Sequence, residues 1–296
     1  MILAFCRNEE SRLFLNHSKK ETADEMTMSH SNAFEADMVV GLTRYLLSQG
    51  SYTTKDITII TMYTGQLLLI KNKMPKREFE GIKITSVDNF QGEENKIIII
   101  SLVRSNVADN LGFVKIENRV CVCLSRAQYG MYVFGNFDML SRGSELWKNV
   151  VNEAKEAKEL GSRLLLGCHM HQNITEIQKP EDFKNKSPTG GCRLPCKKKL
   201  NCGHICKMSC HNKDVEHKEY KCTEKCTKIF WPCNHPCPNA VMAYNVKRNA
   251  ERHVCSTPEM SIKTERASGA VNTESVRGLV DCLALLCHVT TDVTNI

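Results

Sequence analysis

Thiols and imidazoles crowd one stretch of this chain. Nine of its 16 cysteines (Cys192, Cys196, Cys202, Cys206, Cys210, Cys222, Cys226, Cys233 and Cys237) fall within 46 residues, and His204, His211, His217 and His235 stand among them. The spacing repeats. Cys192 to Cys222 and Cys196 to Cys226 are 30 residues apart, while Cys202 to Cys233, His204 to His235 and Cys206 to Cys237 are 31 apart. Soft thiolates and imidazoles this close suit tetrahedral zinc, at about four ligands per ion. Spacing does not say which residues share an ion, and His211 and His217 read as competitors for one position. Disulfides are the alternative, and a reducing location argues against them. A stretch this short cannot bury a core of its own, so the module is expected to unfold without metal. Cys168, His169 and His171 sit outside the repeat and read as a surface cluster.

A second chemistry lies upstream. Thr61-Met62-Tyr63-Thr64-Gly65-Gln66 offers a hydroxyl, a ring and an amide, and Gln91-Gly92-Glu93-Glu94 sets carboxylates beside a residue with no side chain. Arg104-Ser105-Asn106 and Leu124-Ser125-Arg126-Ala127 each carry a permanent cation. A guanidinium suits phosphate, because its planar fork makes two charge-assisted hydrogen bonds.

The elements that must position these groups alternate. Phe34, Met38, Leu42, Tyr45 and Leu46 recur at helical spacing up to Gly50, and Asn32 with Glu35 reads as a capping pair at the helix start. Ile57 to Thr61 reads as a strand, Thr64 to Met74 as a helix stopped by Pro75, and Gly81 to Val87 as a strand. Lys96 to Val103 is apolar at consecutive positions, as in a parallel strand buried on both faces. Asn118 to Gln128 reads as a helix, which would carry Arg126, with Gly130 to Gly135 as a strand and Ser144 to Leu160 as a closing helix. Such alternation predicts an α/β parallel sheet with helices on both faces. In such sheets chemistry is expected at the carboxyl ends of strands.

Composition sets bounds. The 296 residues are 42% hydrophobic and 25% charged, which is globular, and the formal charge of +7 permits a polyanionic partner without requiring one. Between Lys184 and Lys228 there are 12 Lys/Arg against 4 Asp/Glu, a surplus that could meet phosphates or simply solvate the module. Met1 to Arg7 makes a poor signal peptide, and no apolar run approaches the ~20 residues of a membrane span. An intracellular protein, cytoplasmic or nuclear, with no membrane insertion is expected.

Taken in order, the upstream clusters resemble the second RecA-like domain of superfamily 1 RNA helicases of the Upf kind. Ile59 to Gln66 is similar to the family's Thr-Pro-Tyr-x-x-Gln element, with Met62 in place of the proline. Val87 to Glu94 and the following strand through Asn106 resemble motif V. Asn118 to Ala127, ending at Gly135-Asn136, resembles motif VI, with Gln128 where a second arginine is common. The resemblance implies that Arg126 stabilises charge on the transferred phosphoryl group. It also implies that Gln91, Gly92 and Glu94 line the nucleotide cleft, and that Thr61, Tyr63, Asp88 and Asn89 face RNA.

The chain contains no Gly-x-x-x-x-Gly-Lys-Ser/Thr loop, and no hydrophobic strand in it ends in an Asp-Glu pair for magnesium. ATP and Mg²⁺ are therefore expected only together with a missing N-terminal RecA-like domain, and the chain alone is expected to be inactive as an ATPase. Cys202-Gly-His204-Ile-Cys206-Lys-Met-Ser-Cys210-His211 resembles the X-box-binding type of zinc finger. The combination resembles the zinc-finger helicases of the NFX type, which implies RNA binding, RNA-silencing or antiviral RNA pathways, and RNA-silencing protein partners.

The expected organisation is a RecA-like domain over 11–160, a linker over 161–190, an NFX-type zinc module over 191–238 and a divergent tail over 239–296. The whole reads as a carboxyl-terminal helicase fragment. The alternative is a zinc-dependent RNA- or protein-binding scaffold without ATPase activity.

Overall fold

The computed structural model describes residues 11–24, 29–200 and 203–224, with the backbone of two short strands at Ile229–Phe230 and His235–Pro236. The tail over 239–296, Cys202, Cys226, Cys233, Cys237 and the side chain of His235 lie outside the described residues.

The chain opens with β1 (Ser11–Asn16), a small hairpin of β2 (Thr22–Asp24) and β3 (Ser29–Ser31), and α1 (Ala33–Ser48). There follow β4 (Ile57–Thr61), α2 (Thr64–Lys73), the short α3 (Lys76–Phe79), β5 (Lys83–Ser86) and β6 (Asn95–Ser101). Then come α4 (Glu117–Leu124), β7 (Ala127–Gly135), α5 (Phe137–Gly143), α6 (Glu145–Glu156) and β8 (Leu160–Gly161).

Six of these strands form one sheet in the order β5-β4-β6-β7-β1-β8, and every pairing in it is parallel. The expected RecA-like α/β sheet is therefore the fold. Its core follows from the period of two along a strand. In β6, Ile97 and Ile99 face the layer of α1 and α2, whereas Ile98 and Ile100 face the layer of α4, α5 and α6. Leu13 and Leu15 on β1 and Tyr132 and Phe134 on β7 join the first layer; Phe14, Met131 and Val133 join the second. A strand covered on both sides must be apolar at every position, which is what the isoleucine run supplies.

The strand order reverses between β4 and β6, where parallel sheets of this kind open a crevice at their carboxyl ends. Here the crevice is filled by the chain's own polar groups. Asn32, Glu35, Gln66 and Ser101 are each 0% exposed. Ser101 Oγ donates to Glu35 Oε2 at 2.6 Å and the Val103 N–H donates to the same oxygen at 2.9 Å, while His17 Nε2 lies 2.9 Å from Oε1. Gln66 Nε2 donates to Ser101 Oγ at 2.9 Å, and the Asn32 N–H donates to Gln66 Oε1 at 2.7 Å. Asn32 does cap α1 by accepting from the Glu35 N–H at 3.2 Å, but the pair also anchors β6 and the turn after it. Val103 in that turn has φ +72°, costly for a β-branched residue at roughly 1–3 kcal/mol. Glu35 and Asn32 hold its N–H and C=O in place.

Several boundaries differ from expectation. The helix expected to carry Arg126 ends at Leu124, and β7 begins at Ala127, so Arg126 lies at the junction. Residues 161–190, expected to be a linker, hold β9 (Leu164–Gly167), β10 (Ile174–Ile177) and α7 (Pro180–Lys186). Leu164, Leu166, Ile177 and Phe183 join the core beside α1, and a Cβ on Gly41 of α1 would strike the Phe183 ring. Runs this short carry little periodicity in sequence. Among the described residues, no helix is long and apolar enough to cross a membrane.

Replacing Glu35 with alanine leaves the Ser101 hydroxyl and the Val103 N–H buried without their acceptor. The expected loss is about 3 kcal/mol, or roughly 6–12 °C in thermal midpoint. A melting curve within about 1 °C of the parent would show that the network does not hold the switch point together.

Candidate functional site

The residues singled out in the sequence separate to opposite edges of the sheet. Thr61 ends β4, Tyr63 and Gln66 follow it, and Arg104, Ser105 and Asn106 follow β6, all at the carboxyl edge. Gln91, Gly92 and Glu94 precede β6 and Arg126 precedes β7, so these four stand at the amino edge. This corrects the expectation that all the chemistry gathers at the carboxyl ends. There the crevice is closed by Asn32 and Glu35, while Gln91, Gly92 and Glu94 are exposed at the other end.

At the amino edge the backbone of β6 and β7 brings the two segments together, with the Asn95 N–H donating to the Arg126 carbonyl at 3.2 Å. Gln128 Nε2 donates to Glu94 Oε1 at 2.9 Å, which orients that carboxylate. Gly92 has φ +76°, a conformation a glycine adopts without strain, and a Cβ there would meet nothing within 4 Å. Arg126 is half-buried, and its Nε is buried with no hydrogen-bond partner among the described residues. A buried guanidinium nitrogen without an acceptor is costly in an isolated domain and is well placed to gain one from a bound anion.

At the carboxyl edge Thr61 is 0% and Tyr63 4% exposed, so neither presents its side chain to solvent. Tyr63 is packed by His30 at 5.2 Å between ring centroids, by Phe113 at 5.4 Å and by the Arg104 guanidinium at 5.7 Å. Arg104, itself buried, pairs with Glu21 at 3.2 Å. His30 is held below the ordinary histidine value by burial and by Arg104, against the pull of Glu21. Asp88 and Asn89 are exposed, and Asp88 accepts two 2.8 Å bonds from Arg119. Arg119 in turn lies 4.7 Å over the half-exposed ring of Phe113. Sequence reading missed this cation and ring. Arg119 was visible within the Asn118–Ala127 segment but had no marked partner there.

After α7 the chain continues through β11 (Gly190–Pro195) and β12 (Ser209–His211), an antiparallel pair. Cysteine and histidine side chains around it form two groups, each with its ligand atoms within 4.8 Å of one another. The first is Cys168, His171, Cys192 and Cys210; the second is Cys196, Cys206, His211 and His217. In the first, His171 Nδ1 lies 3.3 Å from Cys192 Sγ and 3.7 Å from Cys168 Sγ, and the Cys168 and Cys210 sulfurs are 3.6 Å apart. In the second, Cys196 Sγ to His217 Nε2 is 3.4 Å, Cys206 Sγ to His211 Nε2 is 3.8 Å, and the two imidazole nitrogens are 3.1 Å apart.

A tetrahedron built on Zn–S bonds of about 2.3 Å and Zn–N bonds of about 2.0 Å has edges of roughly 3.3–3.8 Å. The donor sets thus fit zinc in chemistry, number and spacing. Burial pushes the Cys168 thiol up, but hydrogen bonds from Cys192, His171 and Cys210 outweigh it and bring it down to about 6, while burial and the Cys168 sulfur push Cys192 up and Cys210 up to about 12. Burial and the neighbouring His217 hold His211 below the usual histidine value, in the neutral form that binds metal.

Two readings are corrected. Cys168 and His171 are not a surface cluster but converge with two array cysteines, Cys168 being 6% exposed. His211 and His217 do not compete; both enter the second group. His204 Nδ1 lies 3.4 Å from Cys222 Sγ; neither is a member of the two groups, although Cys222 packs with Cys206 and Cys196 of the second.

Residues 3–138, which hold most of the six-stranded parallel sheet and the ordered motifs on its two edges, match the family described as AAA domain, and the chain is helicase-like in that region. The chain is 44% identical over 227 residues to NFX1-type zinc finger-containing protein 1 of Mus musculus, a match that covers 76% of this chain and 12% of that protein. It is 40% identical over 147 residues to the helicase required for RNAi-mediated heterochromatin assembly 1 of Schizosaccharomyces pombe, covering 49% and 14%. To the regulator of nonsense transcripts 1 homolog of Drosophila melanogaster it is 32% identical over 188 residues, covering 62% and 16%.

Substituting either His211 or His217 by alanine should remove the same single zinc equivalent from the purified chain, as measured by elemental analysis. If each variant kept the parent's metal content, the two histidines would be alternatives after all.

Proposed function

We propose that this chain supplies the arginine-finger half of an ATP-dependent RNA helicase, together with zinc-binding fingers that add nucleic-acid affinity. The observation that carries the reading is the Arg126 Nε, buried and without a hydrogen-bond partner among the described residues, at the amino edge where Asn95, next to Glu94, bonds the Arg126 carbonyl. In this reading Arg126 stabilises charge on the transferred phosphoryl group, Gln91 and Gly92 line the cleft, and Glu94 meets the ribose. ATP and Mg²⁺ would be held chiefly by a second RecA-like domain bearing the Walker residues, which are not among these 296. The proposed organisation remains a RecA-like domain over 11–160, a segment over 161–190, a zinc module over 191–238 and a divergent tail.

In this reading RNA runs along the carboxyl edge, and the support is that Asp88 fixes Arg119 against Phe113 there and Asn89 is exposed. Thr61 and Tyr63 then act from beneath, by shaping that edge. Surplus lysines and arginines between 184 and 228 would add phosphate contacts. A role in RNA silencing or antiviral RNA pathways, with protein partners from those pathways and a cytoplasmic or nuclear location, rests on the relatives' names. One of these speaks of RNAi-mediated heterochromatin assembly. The second reading, a zinc-dependent RNA- or protein-binding scaffold without ATPase activity, draws on the two Cys/His groups.

ATP hydrolysis measured with and without single-stranded RNA separates the two. The chain alone should be inactive, and a polypeptide that also carries the Walker domain should be active. In the active form Arg126→Ala should reduce turnover by about 10³-fold or more, and Arg126→Lys should not restore it. Turnover unchanged by Arg126→Ala would remove the finger. Absence of hydrolysis in both forms, with zinc-dependent RNA or protein binding intact, would leave the scaffold.

A further inference from the structure

We propose that Cys168, His171, Cys192 and Cys210 form a Cys₃His zinc site that staples the zinc module to the helicase-like domain, with half of its ligands contributed from outside the cysteine repeat. The inference rests on the zinc reading of the module and extends it to where the module is anchored. Cys168 and His171 occupy the turn between β9 and β10, where Cys168 N–H donates to the Asn173 carbonyl and Gln172 N–H to the Cys168 carbonyl, both at 2.8 Å. The stem of that hairpin belongs to the helicase-like core through Leu164, Leu166 and Ile177. Cys192 and Cys210 come instead from β11 and β12 of the module. An ion bound by all four would therefore join two segments whose cores are otherwise separate, and the thiols that still carry protons would release them to solvent as the metal–sulfur bonds form.

The surroundings are built for this junction. Gly191 packs against Cys210 so closely that a Cβ would strike the Cys210 carbonyl. Gly190, at φ +81°, lies so near the end of α1 that a Cβ there would strike the Ser48 hydroxyl. Gln49 Nε2 donates to the Gly190 carbonyl at 2.8 Å, and Asn212 Nδ2 donates to Gln49 Oε1 at 2.6 Å. Thr189 Oγ1 donates to the Cys210 carbonyl at 2.7 Å. These polar contacts are few, and without the ion they would be the main tie between β11–β12 and α1. Metal occupancy would thus fix how the module is held on the domain, beyond stabilising the module itself.

The test is zinc content of the full chain, with cobalt substitution as a second readout. Cys168→Ser and His171→Ala should each lose one equivalent relative to the parent, while His169→Ala loses none. His171→Cys, which restores a soft ligand, should retain the ion. In the cobalt-loaded chain the thiolate charge-transfer absorption should fall in Cys168→Ser by the contribution of one sulfur-rich site, leaving that of the Cys₂His₂ group. Amide exchange in 190–195 and 209–212 should quicken in the same variants, while α1 through Tyr45 stays protected, which shows the domain still folded. Full metal content in both Cys168→Ser and His171→Ala would overturn the staple while leaving zinc elsewhere in the module. A parent chain that binds no zinc would overturn the zinc reading itself.

Discussion

One buried carboxylate governs how this molecule is arranged. Glu35 carries no exposed surface, and burying a carboxylate is tolerable only if donors surround it. Ser101, the Val103 N–H and His17 surround it from β6, from the turn beyond it and from the segment after β1. That arrangement fixes the amino end of α1 in the place where a parallel sheet usually leaves a ligand crevice. With the carboxyl-side crevice closed, Gln91, Gly92 and Glu94 stand exposed at the amino ends of β6 and β7, beside an Arg126 Nε that has no partner among the described residues. The division of the proposed chemistry into two edges follows from this closure.

The sheet was legible because its centre is extreme. Four consecutive isoleucines can satisfy only a strand covered on both faces, and the alternation of strands and helices around it left little choice of architecture. The motifs were legible as ordered clusters, and their residues do line sheet edges. Which edge was not legible. A residue just before one strand is also a residue some distance after another, and only the tertiary path decides. Arg126 shows the same limit: helical spacing extended through it, whereas β7 claims the chain from Ala127. The hairpin after β8 escaped because its apolar runs are short, and its burial depends on α1, more than a hundred residues away.

The metal groups show why a repeat is a poor guide to ligand sharing. Sequence identity between the repeated units predicts that equivalent residues do equivalent work. Chelation instead depends on which donors the backbone brings within a few ångströms. Cys192 and Cys196 lie four residues apart, yet they enter different groups, and so do the adjacent Cys210 and His211. Cross-linking of this kind ties each short strand to more than one centre, which suits a segment that lacks a hydrophobic core. It also leaves room for a ligand pair from outside the repeat, which spacing alone could not nominate.

The strands β11 and β12 are pinned near the end of α1, the helix whose start holds Glu35. The nucleotide edge remains the claim on which the proposed activity turns. Its most direct test is photocrosslinking of 8-azido-ATP to the polypeptide that carries both this chain and the Walker domain, with the labelled peptides identified by mass spectrometry. Labels within 91–94 are predicted, because Glu94 is assigned to the ribose next to the base that carries the azide. Labels confined to 61–66 and 102–106 would place the nucleotide at the carboxyl edge and contradict the assignment.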